Sequence, residues 1–215
     1  MDKIKLHNDF DKSIIAEIKG TYGWMCEGDE NSKNDVIMDI GANIGCFAVY
    51  AGLKGYKKLY CYEPEPSNFE LLKENTLHLK KCKVVNKAIL STCKKGDTID
   101  FYIPKNRKNM GSCSSYVTRG RDKISVETIN FKNELKKIQP NIIKMDCEGA
   151  EYDLLQTPLP DCVKKITIEI HLNKKEWRYK LAPELIKKFE GWTVIKAPVI
   201  TCLLYTSDAA DEEDS

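Results

Sequence analysis

An acidic residue followed by a glycine-rich turn is the strongest chemical pattern in the sequence. Asp39 ends an apolar stretch, and the segment Asp-Ile-Gly-Ala-Asn-Ile-Gly places Gly41, Asn43 and Gly45 directly after it. Glycine lets the backbone approach a ligand closely, and a helix that starts after such a turn presents free N–H groups. Dinucleotide-binding proteins seat a pyrophosphate on a G-x-G-x-x-G turn, but Asp39 would repel phosphates. The pattern therefore favours a ligand with a cationic group near Asp39, bound directly or through water; a turn needed only for helix packing is the alternative.

A second acid, Glu63, ends the next predicted strand, 24 residues after Asp39. This separation is close to the one at which dinucleotide-binding folds place the carboxylate that holds the ribose hydroxyls. A carboxylate can accept hydrogen bonds from both hydroxyls, and such charge-assisted bonds are strong. Because Asp39 and its turn precede it, we expect Glu63 to bind a ribose rather than to lie on a solvated rim.

Two further carboxylates, Asp146 and Glu148, follow a third apolar stretch. Two residues apart on an extended strand end, they point to the same side, at the edge where open α/β sheets bind ligands. They could supply a general base, orient a substrate hydroxyl or hold a divalent metal. Alternatively, Glu148 and Glu151 could cap the helix predicted near Gly149. We assign the capping role to Glu151 and the functional site to Asp146 and Glu148.

His171 ends a predicted strand near the same edge. A histidine there could accept a proton near neutral pH, although a hydrogen-bonded structural histidine fits the sequence equally well. Tyr50 and Lys54 match the Y-x-x-x-K spacing of short-chain dehydrogenases. They fall in the first helix after the glycine turn, too early for that active site, so we treat the match as accidental.

The elements that must position these residues alternate between short apolar stretches and amphipathic segments. This alternation predicts an α/β fold with a mainly parallel central sheet and helices on both faces. Strands are predicted at 36–40, 58–63, 84–90, 141–146, 165–171 and 192–196. Helices are predicted at 9–20, 46–52, 131–138 and 174–190, after residue 149, and after a cap at Ser67. Residues 91–128 are predicted to form a less regular insertion, with strands at 98–103 and 124–129.

Three segments, VIMDIGANIGCF, YCYEPEPSNFELLKEN and IKMDCEGAEYDLL, resemble the FkbM family of methyltransferases and occur in the family's order. The resemblance spans Asp35 to His171 and implies a Rossmann-like class I methyltransferase fold that uses S-adenosyl-L-methionine. It implies that the donor is held by Asp39, Gly41, Asn43, Gly45 and Glu63, with Asn86 to Ala88 near the adenine. It implies that the acceptor is faced by Gly111 to Ser115, Glu169 and His171. The catalytic residues are then expected to be Asp146, Glu148 and His171.

The family resemblance makes O-methylation of a sugar hydroxyl, on a glycan or glycoconjugate, the expected reaction. Two other functions stay open from the sequence. An NAD(P)-dependent oxidoreductase would use the same sheet, but Asn43 and the missing dehydrogenase dyad count against it. A non-catalytic glycan- or nucleic-acid-binding module would keep the fold without the chemistry. No Asn-Pro-Pro-Tyr-like motif and no arginine cluster is present, so a nucleic-acid partner is not expected.

Composition limits the remaining possibilities. A chain of 215 residues with 42% hydrophobic and 31% charged residues is of ordinary globular type and fits one domain. No apolar run reaches the ~18 residues of a membrane span, and the start lacks a signal-peptide core, so we expect a cytoplasmic protein without a membrane partner. The nine cysteines lie singly and are expected to be reduced, and with only three histidines no metal site is expected.

The end of the chain differs from the rest. The segment CLLYTSDAADE resembles the in-frame translation of a transposase adapter, and the last eight residues, DAADEEDS, contain five acids and no base. We therefore expect a methyltransferase domain over 1–201 and a non-native or disordered acidic tail over 202–215. The fold of the superfamily normally closes with a strand hairpin. Only one clear strand follows the last predicted helix, so the C-terminal strand is expected to be truncated.

Overall fold

The computed structural model describes residues 4–8, 11–18, 23–26, 31–105, 110–115 and 120–169, with Lys187 and Phe189. The strands within these ranges are β1 (Val36–Ile40), β2 (Lys58–Tyr62), β3 (Cys82–Val85), β4 (Ala88–Leu90), β5 (Thr98–Pro104), β6 (Arg121–Asn130), β7 (Ile142–Met145) and β8 (Lys165–Ile168). The helices are α1 (Asp11–Glu17), α2 (Cys46–Leu53), α3 (Pro66–Thr76), α4 (Phe131–Ile138) and α5 (Glu151–Leu154).

The main sheet has five parallel strands in the order β3-β2-β1-β7-β8. Successive residues of a strand point to opposite faces, so β1 places Ile37 in one apolar cluster and Met38 in another. The first cluster lies under α2 and α3, and the second lies under α4 and α5. Both faces are thus covered, which explains the nearly continuous apolar strands of the sequence and confirms the predicted α/β architecture.

The chain changes direction across the sheet at β1. The strands β1, β2 and β3 follow one another towards one edge, whereas β7 and β8 lie on the other side of β1. In an open parallel sheet, such a reversal leaves a crevice at the carboxyl ends of the two central strands. The ends of β1 and β7 carry Asp39 and Asp146, so the topology brings the predicted functional segments together.

A second sheet, in the order β4-β6-β5, is built by β4 together with the insertion. Strand β6 pairs in parallel with β4 and antiparallel with β5, which confirms both strands predicted within the insertion. The single strand predicted at 84–90 is wrong, because β3 ends at Val85 and β4 begins at Ala88 in the other sheet. The amide of Asn86 donates to the carbonyls of Glu63 and Pro64, at 2.8 and 3.0 Å, and fixes the turn between the two strands.

The start of α3 also differs from the prediction. Its N-cap is Glu65, whose carboxylate accepts the backbone N–H of Asn68 at 2.6 Å, and not Ser67. Pro66 occupies the first helical position, where its missing N–H costs nothing and its fixed φ favours the helix. The proline therefore places the helix start upstream of Ser67, whose hydroxyl donates to the same carboxylate.

Several predictions concern residues outside the described ranges. They are the strand at 192–196, the tail at 202–215 and, except for Lys187 and Phe189, the helix at 174–190. Within the described ranges, no helix has both the length and the apolar character needed to cross a membrane. The eight cysteines of the same ranges are free thiols. The cytoplasmic location and the single-domain boundary stay predictions.

Candidate functional site

A pocket opens at the carboxyl ends of β1, β2 and β7, where the main sheet meets the insertion. Loops after these strands form its floor, and the second sheet and the segment 110–115 form the opposite wall. Its lining consists of Ile40, Gly41, Asn43, Tyr62, Glu63, Pro64, Asn68, Lys87, Ala88, Ile89, Leu90, Ile99, Phe101, Met110, Cys113, Ser115, Asp146, Cys147, Glu148 and Ala150. Ligand pockets commonly combine such a mainly apolar lining with a few polar groups.

The glycine turn after β1 is shaped by a close backbone contact. Gly41 has φ +76°, and a Cβ atom on it would lie 1.7 Å from the backbone oxygen of Asp146. Asn43 also has a positive φ, +51°, and its side-chain oxygen accepts the N–H of Ile44 at 2.6 Å. Gly45, at φ +87°, caps α2 and packs against Leu72 of α3. Gly41 and Asn43 line the pocket, whereas Gly45 lies behind it.

Glu63 joins the turn to the loop after β2. Its Oε2 accepts the N–H of Asn43 at 2.8 Å, and its Oε1 accepts the N–H of Glu65 at 2.9 Å. The residue is only 4% exposed yet lines the pocket. Burial raises its pKa to about 7, although the two backbone hydrogen bonds favour the ionised form. A carboxylate that titrates near neutral pH therefore faces the ligand space.

Asp39 lies beneath the pocket rather than in its lining. Its side chain is fully buried, and its role in holding a ligand, directly or through water, stays a prediction. The Oδ1 atom of Asp39 lies 3.5 Å from the ammonium of Lys144. Burial raises the pKa of Asp39, and the charge of Lys144 opposes that rise. Asp39 thus belongs to the layer below the pocket floor.

Lys144 is a residue that the sequence analysis missed. It pairs with Asp39 across β1 and β7, and its Nζ donates to the carbonyl of Gly41 at 2.8 Å. The same Nζ lies 3.5 Å from Oδ2 of Asp146, which is 27% exposed. Burial alone would lower the pKa of Lys144, but nearby carboxylates outweigh burial and raise it. A lysine inside the apolar run of β7 was the available signal, because buried lysines are nearly always paired.

Asp146 and Glu148 both line the pocket, although Glu148 lies in the turn after β7 and not on an extended strand end. Glu148 has φ +53°, and its carbonyl accepts the hydroxyl of Ser114 at 2.7 Å, which ties this loop to the insertion. Glu151 is fully buried and accepts the N–H groups of Cys147 and Gly149, each at 2.8 Å. Glu151 thus has a structural role, but it holds the turn before α5 instead of capping the helix, whose N-cap is Ala150 without a side-chain hydrogen bond. Asp146 and Glu148 belong to the pocket lining.

Of the other predicted site residues, some line the pocket and others do not. Ala88 lines the pocket, but Asn86 holds the turn behind it through the carbonyls of Glu63 and Pro64. In the segment 110–115, the lining residues include Cys113 and Ser115. Glu169 does not line the pocket, and His171 lies outside the described ranges.

The apolar wall of the insertion was not predicted as part of the site. Ile99, Phe101 and Met110 face the pocket, and Asn68 of α3 donates to the carbonyl of Met110 at 3.1 Å. Nothing in the local sequence distinguishes these residues from ordinary core residues. In the part of the chain that the structure describes, no group of three His, Cys, Asp or Glu side chains could hold a metal ion.

Three features of the pocket lining bear on the kind of ligand that it could bind. Glu63 can accept hydroxyl hydrogen bonds, because each carboxylate oxygen keeps a lone pair beyond its backbone contact. Gly41 and Asn43 expose backbone at the floor, and apolar residues on β4 can cover a flat base. Asp146 and Glu148 can accept a proton or a cation.

Comparisons with known proteins agree with this arrangement. Residues 39–193 match the model of the methyltransferase FkbM domain. Hexuronic acid methyltransferase AglP of Haloferax volcanii is 28% identical over 145 residues, which cover 66% of this chain and 59% of AglP. The chain therefore spans about three-fifths of the length of this curated relative.

Similarities to solved structures are more distant. The Pyrococcus horikoshii protein PH1948 shares 15% identity at a TM-score of 0.38, over 82% of this chain and 64% of that protein. TYW2 of P. horikoshii, in complex with MeSAdo, shares 14% identity at a TM-score of 0.28, over 50% of this chain and 49% of TYW2. The family match covers most of the chain and, with the parallel sheet, confirms the expected Rossmann-like class I fold. The chain belongs to the FkbM methyltransferase family.

Proposed function

We propose that the protein transfers a methyl group from S-adenosyl-L-methionine to a hydroxyl oxygen of a sugar on a glycan or glycoconjugate. The observation that carries the proposal is the position of Glu63. It is a buried acid at the end of β2, faces the pocket and is fixed to the glycine turn through Asn43. This is the place where a ribose-binding carboxylate belongs in a sheet of this topology.

The lining residues fit the donor. Glu63 would accept the two ribose hydroxyls, and the backbone at Gly41 and Asn43 would adjoin the amino-acid end. Ala88 and Ile89 of β4 offer an apolar surface for the adenine. Bound there, the donor supplies an activated methyl group on a positively charged sulfur. The rest of the chemistry depends on how the protein places the acceptor.

Alignment would be the main contribution of the protein to the reaction. The acceptor oxygen forms its bond to the methyl carbon as the carbon–sulfur bond breaks, and the hydroxyl proton must leave. Asp146 and Glu148, at the same edge of the pocket, are the described carboxylates that can accept this proton. His171 is a further predicted base. Holding reacting atoms in line can contribute roughly 7–11 kcal/mol, so only a modest base is needed.

A sugar acceptor is supported by the relative AglP, whose name states that it methylates a hexuronic acid. The insertion adds a wall that combines Phe101 with the polar Ser115. A sugar presents both apolar C–H faces and hydroxyl groups, which suits such a mixed surface.

Isothermal titration calorimetry tests the donor. We expect the protein to bind S-adenosylhomocysteine, and the Glu63→Ala variant to bind it about tenfold more weakly or worse, because charge-assisted hydrogen bonds are lost. The matched control is Glu70→Ala, which removes an exposed carboxylate on α3 and should leave the affinity unchanged. Binding of NADH without S-adenosylhomocysteine would contradict the proposal and favour an oxidoreductase.

Transfer of a tritiated methyl group tests the acceptor. The panel should contain neutral sugars, rhamnosides, hexuronic acids and RNA. Incorporation into one of the sugar classes supports the proposal, whereas incorporation into RNA alone would overturn it. Donor binding without transfer to any acceptor would instead indicate a binding module.

A further inference from the structure

A buried lysine separates two acids directly below the pocket floor. The ammonium of Lys144 lies 3.5 Å from Oδ1 of Asp39 and 3.5 Å from Oδ2 of Asp146. Its side chain is 4% exposed, that of Asp39 is fully buried and that of Asp146 is 27% exposed. Only Asp146, of these three residues, lines the pocket. One positive charge thus lies between two negative charges that have unequal access to ligand.

The two acids of this cluster differ in whether a ligand can contact them. With all three groups ionised, the cluster carries a net charge of −1, since one ammonium meets two carboxylates. Asp39 cannot display that charge, because no ligand reaches a fully buried side chain. The surplus negative charge is therefore available to a ligand at Asp146. The donor has two cationic groups, the sulfonium that bears the methyl group and the ammonium of its amino-acid end. The ammonium is the one expected at the glycine turn, beside Asp146.

We propose that Lys144 is a positioning residue that holds Asp146 towards the ammonium group of the donor, so that Asp146, and not Asp39, binds this group. The inference rests on the proposed function, because it assumes the same donor. Lys144 is itself anchored by its hydrogen bond to the carbonyl of Gly41. Through it, the glycine turn, the buried acid and the exposed acid keep fixed relative positions.

The backbone supports the same assignment. The N–H of Asp146 donates to the carbonyl of Ile40 at 3.0 Å, and its own oxygen lies against Gly41. Asp146 therefore lies beside the turn where the amino-acid end of the donor is expected. Stability alone is a weak explanation for the cluster, because well-packed apolar residues often replace a buried ion pair without loss. This assignment leaves Glu148 as the lining carboxylate for the acceptor.

Two ligands separate binding of the ammonium group from binding of the nucleoside. S-adenosylhomocysteine carries the amino-acid group, and 5′-methylthioadenosine lacks it. We expect Asp146→Asn to lower the affinity for S-adenosylhomocysteine about tenfold or more in calorimetry, because a charge-assisted contact is lost. The affinity for 5′-methylthioadenosine should change less than about twofold. Asp39→Asn removes the surplus negative charge of the cluster but keeps the contacting carboxylate of Asp146. We therefore expect it to weaken S-adenosylhomocysteine binding less than Asp146→Asn does, and to leave 5′-methylthioadenosine affinity within about twofold. A selective loss in Asp39→Asn as large as that in Asp146→Asn, or no selective loss in Asp146→Asn, would overturn the proposal.

A double variant tests the positioning role of Lys144. Combining Asp39→Asn with Lys144→Met keeps the net charge of the cluster and leaves no buried charge unpaired. We expect this double variant to lose S-adenosylhomocysteine affinity about threefold or more, with 5′-methylthioadenosine affinity unchanged. The matched control is Lys73→Met, at an exposed lysine of α3. Wild-type affinity for both ligands in the double variant would overturn the positioning role.

The single variants decide which acid binds the ammonium group even where the double variant does not fold. Each leaves a carboxylate beside Lys144, so neither leaves the buried ammonium without a partner. The same titrations also separate this inference from the proposed function. If the wild-type protein binds neither ligand, the proposed donor is wrong. If it binds both and Asp146→Asn has no selective effect, only the further inference is wrong.

Discussion

The carboxylate of Glu63 accepts the backbone N–H of Asn43 at 2.8 Å and so connects the end of β2 to the turn after β1. The contact spans the two segments that the sequence marks for donor binding. It also fixes an acid in a buried position, because Glu63 is only 4% exposed. The ionisation of Glu63 therefore affects the turn and, in the proposed function, the binding of the donor.

Donor binding should depend on pH through Glu63. Burial raises the pKa of Glu63 to about 7, so the carboxylate that can accept two ribose hydroxyls forms only as the pH rises through that value. We expect affinity for S-adenosylhomocysteine to increase roughly tenfold between about pH 6 and pH 8. Calorimetry across this range checks the expectation, with Glu63→Gln as the variant that should bind weakly and lose the dependence. A flat profile in the wild-type protein would contradict the assigned role.

The raised pKa of Glu63 also affects the free energy of unfolding. Its effect on stability as the pH rises is opposite to its effect on donor affinity. Because the folded-state pKa of Glu63 is raised above the ordinary value of 4.5, the folded state holds this proton more tightly than the unfolded state does. The contribution to the free energy of unfolding is fully present below the unfolded pKa and is lost as the pH rises through about 7. Stability from this group therefore falls over the range in which binding improves.

Gly41 should tolerate alanine much less well than Gly96. Both have a positive φ, +76° and +90°, so both variants pay backbone strain of about 1 kcal/mol. A Cβ atom at residue 41 also meets the backbone oxygen of Asp146 at 1.7 Å, whereas nothing lies within 4 Å of one at residue 96. Urea unfolding should show that Gly41→Ala costs at least about 3 kcal/mol, or prevents folding. Equal losses in the free energy of unfolding for the two variants would mean that the turn can move away from Asp146 and so avoid the clash.

Glu151 should contribute to stability rather than to donor binding. Its two carboxylate oxygens accept the N–H groups of Cys147 and Gly149, and the side chain is fully buried. Glu151→Ala leaves two buried donors without these acceptors, so we expect a loss of about 2–4 kcal/mol in the free energy of unfolding. Chemical denaturation measures this loss, and Glu74→Ala, on the surface of α3, serves as the control. A loss below about 0.5 kcal/mol would show that water replaces the carboxylate.

The sequence predicted an element correctly where its local residue pattern agrees with the packing that the fold requires. The run Val-Ile-Met-Asp-Ile predicts β1 with its correct bounds, because a strand that is apolar except for one residue, before a glycine turn, fits a sheet covered on both faces. The bounds of α4 were also correct, since Asn130 caps it and its apolar face is regular. Glu63 and Asp146 lie at the pocket edge because parallel strands end at the same edge of a sheet.

The remaining features depend on contacts between segments distant in sequence. Asp39 is two residues from Gly41, yet a cross-strand lysine keeps it below the floor. The break between β3 and β4 depends on Asn86, whose partners lie more than 20 residues away. Phe101 has the same pattern as any inward-facing strand residue, so its place in the pocket wall follows only from the docking of the insertion.

The last prediction concerns the support of the pocket wall. Tyr62 is one of the residues that line the pocket, and its side chain packs in an apolar cluster with residues of α4. Its hydroxyl donates to the buried carboxylate of Glu134 at 2.5 Å, and burial, followed by this bond, raises the pKa of Tyr62. Lys137 also binds Glu134, at 2.9 Å. Tyr62→Phe keeps the wall and removes the donor, so we expect a loss of about 1.5–3 kcal/mol in the free energy of unfolding.

Donor affinity should nevertheless change less than about twofold in Tyr62→Phe, because only the hydroxyl is removed, and it is bonded to Glu134. A double-mutant cycle with Glu134→Gln should give a coupling of about 1 kcal/mol or more, since the two side chains are in direct contact. If Tyr62→Phe strongly lowered the affinity for S-adenosylhomocysteine without lowering the free energy of unfolding, the hydroxyl would have to contact the ligand. The bond to Glu134 would then not be its main role, and the ring could not be regarded as a passive wall.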